Sequence, residues 1–165
     1  MKKIFLIVTS ILFITTISPA SPPITNLKND QASYGLTEAK AYFDVTVGDP
    51  KPLLVRLQLI EKTYNQLVAA GVTPSFIIGI RGKASSFFTK GPDYVLDIDM
   101  PTKMQIARFV ERAQAMHIGV EQCRIAAGFQ EIEVADFLPQ MKLVENGYVS
   151  MIVYQSQGYA FVPMD

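Results

Sequence analysis

The sequence predicts an α/β fold, a three-layer sandwich with a mainly parallel, five-stranded sheet of the flavodoxin-like type. Two observations support this prediction. Short apolar runs typical of strands alternate five times with segments whose apolar residues recur at helical spacing, over roughly 120 residues. One of these runs, residues 76–80, is almost continuously apolar, as expected of a parallel strand that is buried on both faces. No repeat or internal domain boundary interrupts the alternation.

The first strand and helix are marked by the residues at their ends. A predicted strand at residues 41–47 is followed by Gly48, and Asp49 is a good N-cap for a helix whose first turn contains two prolines. Apolar residues then recur at helical spacing until Gly71, which is placed where a glycine commonly ends a helix. The second strand is predicted at residues 72–80, and a less regular stretch follows it up to residue 101.

The second half of the chain repeats the alternation with shorter elements. Thr102 is predicted to cap a second helix that ends at Gly119. The last helix is predicted to turn three apolar residues toward the sheet, namely Val149, Ile152 and Val153. The remaining predicted elements are a strand at 120–125, a helical turn at 132–137, a strand at 141–145, the last helix at 148–157 and a closing strand at 159–162.

Residues 1–20 match the pattern of a secretory signal peptide. Two lysines precede an apolar core at residues 4–17, which is too short to span a membrane, and small residues lead to a cleavage site after Ala20. We expect a periplasmic protein of the bacterial envelope, with no stable membrane insertion after cleavage. The alternative is a leader that stays in place as an N-terminal anchor. Residues 21–38 are predicted to be a flexible tether, which leaves residues 39–165 as the folded domain.

Charge and motif content exclude several classes of function. The 15 basic and 15 acidic residues balance, and loss of the leader would leave the mature chain slightly acidic. This balance gives no electrostatic reason to expect nucleic acid as a partner. The glycine patterns that bind nucleotide phosphates are absent. We therefore predict no metal and no cofactor.

Cys123 is the only cysteine, so it cannot form a disulfide within its own chain. It is a small buried side chain, a link between two chains or a reactive thiol. Ligands of open parallel sheets bind beyond the carboxyl ends of the strands, where Cys123 follows one strand and Arg81 and Lys83 follow another. Their positive charge would favour the thiolate. Arg124 could contribute only if its strand has already ended, and Glu121 is expected at the edge of the sheet.

Three stretches of the chain resemble the DsrE/DsrF-like family, the sulfur-relay group that includes YchN-type proteins. Residues 49–71 resemble the first helix of the family, which begins after a short polar turn and closes on Ala-Gly-Val. Residues 117–123 resemble its Gly-Val-x-x-x-Cys strand, and residues 138–147 and 155–161 resemble its closing segment. Together these stretches cover nearly all of the chain from residue 40 onward.

The resemblance implies an α/β fold that assembles into homotrimers or homohexamers, with a persulfide on the cysteine that matches Cys123. Two functional hypotheses follow. The first is an exported sulfurtransferase-like persulfide carrier, in which Arg81, Lys83 and Arg124 bind an anionic sulfur donor and a protein or small sulfane-sulfur species exchanges sulfur with Cys123. The second is a non-enzymatic, oligomeric binding or scaffold module, whose interface would include aromatic residues of the last helix, such as Tyr148 and Tyr154, and the closing strand.

Overall fold

The structure, a computed structural model, describes residues 35–165, so the predicted signal peptide and most of the predicted tether lie outside the described residues. Within this range the chain forms one parallel sheet flanked by helices. The strands are β1 (Glu38–Val45), β2 (Thr73–Ile80), β3 (Gly119–Cys123), β4 (Lys142–Val144) and β5 (Ala160–Met164), and the helices are α1 (Pro50–Ala69), α2 (Met100–Ala115), α3 (Arg124–Gly128) and α4 (Gly147–Ser156).

All five strands run parallel, in the order β4-β3-β2-β1-β5. The chain steps from β1 to β4 along one direction of the sheet and then crosses back through α4 to add β5 beside β1. The predicted three-layer, flavodoxin-like α/β fold is confirmed. No helix in residues 35–165 has both the length and the apolar content that crossing a membrane would require.

The two faces of the sheet differ in polarity because side chains alternate along each strand. Phe43 and Val45 of β1 point into the apolar core beneath α1 and α2. Tyr42 and Asp44 are buried on the opposite face, beneath α4. One face of the sheet is therefore an ordinary hydrophobic core, and the other is a buried layer of polar and aromatic side chains.

The ends of α1 agree with the prediction. The side chain of Asp49 accepts a hydrogen bond from the backbone N–H of Lys51 at 3.1 Å, which satisfies a donor that the first turn leaves free. Gly71 follows the helix with a φ of 79°, a backbone conformation that side-chain-bearing residues rarely adopt.

Three other predicted boundaries were wrong. Thr102 does not cap α2, because the helix already begins at Met100 and the N-cap position falls on Asp99, whose side chain makes no capping hydrogen bond. A short 3₁₀ turn at Asp97–Asp99 leads directly into this helix, so the helix begins earlier in the chain than predicted. β1 spans Glu38–Val45, so it begins three residues before the strand predicted at residues 41–47. The third strand ends at Cys123, and the residues predicted to continue it form α3 instead.

The predicted orientation of α4 was also wrong. Val149, Ile152 and Val153 are exposed by 55%, 64% and 44%. Tyr154, which was expected on the exposed side, stacks on Tyr42 with ring centroids 5.7 Å apart. The helix is apolar almost all round, so hydrophobic spacing does not identify its inner side, and the polar layer beneath it selects the tyrosine.

Candidate functional site

The candidate site lies where the carboxyl ends of β3 and β4 meet. From β3 the chain turns toward the layer of α1 and α2, whereas from β4 it turns toward α4 on the opposite face. Connections that leave neighbouring parallel strands toward opposite faces open a crevice between them, which is the usual ligand position in open α/β sheets. Cys123, the last residue of β3, lies in this crevice.

Two backbone N–H groups point at the sulfur of Cys123. The N–H of Gly147 donates to Sγ at 3.2 Å and the N–H of Ala126 donates at 3.5 Å. Gly147 is the first residue of α4, and a Cβ atom there would lie 3.1 Å from the Cβ of Cys123. A glycine at this position therefore lets the start of the helix approach the sulfur. Both donors stabilise negative charge on the sulfur, although Cys123 is only 5% exposed.

A cavity of about 320 Å³ adjoins the thiol. Cys123, Arg81 and Lys83 all line it, so the structure brings together three of the four residues that the sequence marks as candidates. The rest of the wall is mainly apolar and includes Ile125 and Phe129. In the part of the chain that the structure describes, no three His, Cys, Asp or Glu side chains cluster as a metal ion would require.

The positive charge of Arg81 is already compensated. Its Nε and Nη2 atoms donate to the two carboxylate oxygens of Asp44 at 2.6 and 2.5 Å, a bidentate pair. This hydrogen bonding raises the pKa of Arg81 above its ordinary value. The guanidinium also lies 4.8 Å from the centroid of the Tyr148 ring and donates to its hydroxyl at 3.1 Å. Arg81 is thus a fixed part of the wall.

Lys83 and Arg124 differ in their relation to the cavity. Lys83 is exposed, lines the cavity and has no ion-pair partner among residues 35–165. Arg124 lies outside the wall of this cavity and forms a bidentate pair with Glu145, at 2.6 and 2.5 Å. The reason is the early end of β3, because the first turn of α3 directs Arg124 away from the thiol.

Glu121 was expected at the edge of the sheet, and this expectation was wrong. It lies on β3 between β2 and β4, and only 2% of it is exposed. Its Oε1 atom accepts hydrogen bonds from Tyr154 at 3.0 Å and from Lys142 at 3.1 Å, whereas Oε2 has no partner among the described residues. Burial and the nearby carboxylate raise the pKa of Tyr154 to about 12, and the same two causes raise the pKa of Tyr42 further still.

Sequence reasoning missed Asp44, Asn146 and Gly147. A carboxylate in the apolar strand β1 needs a cation nearby, and Arg81 comes directly after the neighbouring parallel strand β2. The pair of Asp44 and Arg81 could therefore have been predicted from the sequence. The Asn-Gly dipeptide before the last helix also suits an N-cap, and the side chain of Asn146 does accept from the N–H of Tyr148 at 3.0 Å. Nothing in the sequence places Gly147 against Cys123.

Comparison with known proteins identifies relatives without a described activity. No protein-family model matches the chain. An uncharacterized protein of Aquifex aeolicus is 30% identical over 133 residues, which is 75% of this chain and 55% of the relative, so the chain spans about half the length of that relative. The solved structure of MTH1491, a protein of unknown function from Methanobacterium thermoautotrophicum, has a TM-score of 0.60 and 11% identity, and the match covers 77% of this chain and 98% of that one. This likeness shows the α/β fold.

Proposed function

We propose that the protein is a thiol-based sulfur carrier of the DsrE/DsrF-like type, in which Cys123 accepts a sulfane sulfur as a persulfide and passes it on. The main support is the position of the thiol. It faces a cavity at the carboxyl end of the sheet, and its sulfur accepts hydrogen bonds from two backbone N–H groups. Backbone N–H groups can stabilise negative charge that develops on a sulfur atom, and the thiolate is the nucleophilic form of cysteine.

The chemistry needs neither a metal nor a nucleotide. The thiolate of Cys123 attacks the outer sulfur of an anionic donor, a new S–S bond forms, and the donor's own S–S bond breaks. The leaving group departs with the electron pair, so no external oxidant or reductant is required. An acceptor thiolate then attacks the terminal sulfur and releases Cys123 again. Lys83, with no ion pair in the described part of the chain, is available to bind the anionic donor.

Intact-mass measurement tests this proposal. After incubation with inorganic polysulfide, the wild-type protein should gain about 32 Da, one sulfur atom, and dithiothreitol should remove it. Cys123→Ser should gain nothing, and because the chain has a single cysteine no other thiol can produce the adduct. A folded protein whose Cys123 reacts with neither polysulfide nor a small alkylating reagent would exclude the carrier function.

A second candidate function, an oligomeric binding or scaffold module, is supported by the exposed apolar residues of α4. In that case Cys123 is only a packing residue, and Cys123→Ser would leave assembly unchanged. Under either function we propose a homotrimer or homohexamer located in the periplasm. Fusion of residues 1–20 to a reporter enzyme that is active only after export tests the location.

A further inference from the structure

We infer that the cavity beside Cys123 accepts an organic monoanion with an apolar body, such as an arylthiosulfonate, in preference to the small dianion thiosulfate. As a statement about the sulfur donor, this inference rests on the proposed carrier function. As a statement about the cavity, it rests on charge and lining alone and is tested separately below.

The charge of the cavity wall favours a single negative charge on the ligand. Arg81 and Lys83 both line the cavity, but the charge of Arg81 is compensated by the bidentate carboxylate of Asp44, whose side chain is 8% exposed. Lys83 is the one cation of the wall that has no ion pair within residues 35–165. A dianion would bring one charge into a largely apolar cavity without a counter-charge, which is unfavourable.

The rest of the wall suits an apolar group. Ile125, Phe129 and Tyr148 line the cavity and are exposed by 44%, 85% and 57%. A ligand that covers them removes apolar surface from water, and a phenyl group does so far better than a methyl group. The volume of about 320 Å³ lies at the lower end of the range for small-molecule sites. Benzenethiosulfonate therefore combines the features that this wall can recognise.

Sulfur transfer from such a donor balances. The thiolate of Cys123 attacks the terminal sulfur of the thiosulfonate, the S–S bond of the donor breaks, and the sulfinate leaves with the electron pair. The products are the persulfide anion of Cys123 and an organic sulfinate, with the same total charge as the reactants.

The first experiment compares rates of persulfide formation from benzenethiosulfonate, methanethiosulfonate and thiosulfate by intact mass. Each rate is divided by the rate with a free thiol, which removes differences in intrinsic reactivity. We expect benzenethiosulfonate to be favoured over each of the others by about tenfold or more, since the buried ring adds apolar contact. Phe129→Ser should abolish most of this preference. Ile98→Ser, at a residue that is 82% exposed and outside the cavity, should preserve it.

The second experiment measures binding without reaction. Benzenesulfonate, a non-transferring monoanion, is titrated into the Cys123→Ser variant and followed by amide NMR shifts. We expect saturable shifts at the residues that line the cavity. Lys83→Met should weaken them, whereas Lys62→Met, on the exposed side of α1, should not.

The outcomes separate the two ideas. If no donor forms a persulfide, the carrier function fails, and the titration still decides whether the cavity binds organic monoanions. If polysulfide reacts but benzenethiosulfonate is not preferred and Phe129→Ser changes nothing, the donor inference fails and the carrier function stands. Absence of saturable shifts with benzenesulfonate overturns the inference in either case.

Discussion

Asp44 determines what Arg81 can do at the candidate site. A guanidinium at the end of a strand could bind an anionic ligand directly, but here its Nε and Nη2 atoms donate to one buried carboxylate and its Nη1 atom donates to the hydroxyl of Tyr148. The side chains of Arg81 and Asp44 are 24% and 8% exposed, so water does little to screen them. Arg81 therefore shapes the cavity, and the exposed Lys83 is left to contribute the free charge.

Asp44→Asn should lower the free energy of unfolding by roughly 2–4 kcal/mol, because it leaves the Arg81 charge mostly buried and unpaired. The matched control is Glu61→Gln. Glu61 forms a similar bidentate pair with Arg112, but these side chains are 22% and 48% exposed, and we expect a loss of about 0–1 kcal/mol. Urea unfolding at neutral pH measures both. Equal losses would show that the Asp44 pair is no more important than a surface pair.

At the scale of elements, the start of α4 controls the thiol. The side chain of Asn146 caps the first turn of this helix. The backbone N–H of the next residue, Gly147, donates a hydrogen bond to the sulfur of Cys123. The same capping contact that stabilises the helix therefore also places a donor against the sulfur.

Asn146→Ala and Asp49→Ala each remove one N-cap, of α4 and α1 respectively, and each should cost about 1 kcal/mol of stability. Only Asn146→Ala should change the chemistry, because only α4 begins at the thiol. We expect the rate at which iodoacetamide alkylates Cys123 in this variant to fall by about threefold or more at neutral pH, because the N–H of Gly147 is no longer held against the sulfur.

Rates are measured on the folded protein, with circular dichroism as the check of folding. If both variants change the alkylation rate equally, the effect comes from the lower stability of the whole fold and not from the start of α4. If neither does, the N–H of Gly147 does not influence the thiol.

The sequence predicted those elements whose ends are set by local chemistry. Asp49 and Gly71 bound α1 as expected, and the apolar run of β2 ends at Ile80 as expected. The end of β3 and the inner side of α4 were mispredicted because tertiary contacts decide them. The residues of α3 have no strong helical spacing of their own, and α4 is too uniformly apolar to show which side meets a polar layer.

The same distinction applies to the candidate site. Topology alone was enough to expect Cys123, Arg81 and Lys83 near one another, because parallel strands end at one edge of the sheet. It could not show that Arg124 turns away from the thiol. The direction of that side chain depends on where β3 ends, and β3 ends two residues earlier than predicted.

At the scale of the whole molecule, the layers are unequal. Among the α-helices of residues 35–165, α1 and α2 cover one face of the sheet and α4 alone covers the other. Its outward side exposes Val149, Ile152 and Val153, and Phe161 on the edge strand β5 is 39% exposed. Exposed apolar residues on an outer helix and on a strand at the edge of the described sheet are a common feature of subunit interfaces.

We therefore expect the protein, prepared without residues 1–20, to form a closed homo-oligomer, with Cys123 near a subunit boundary. Light scattering at micromolar concentration should give a mass well above the roughly 16 kDa of one compact domain. Ile152→Lys should shift the protein toward the monomer, because it buries a charge in the proposed interface. Val68→Lys, on α1 at a residue that is 52% exposed, is the matched control. A monomeric wild-type protein would refute the prediction.

The crossover from β4 to β5 also sets the order in which the site can be completed when the chain emerges from its N-terminal end. β5 pairs with β1, beginning with Ala160 opposite Ala41, and α4 supplies the N–H of Gly147 that donates to Cys123. α4 and β5 are the last two elements of the chain. A nascent chain that has reached only β4 has one bare edge on β1 and a Cys123 without its second amide. Such a chain would be open to strand-pairing errors and to oxidation of the thiol.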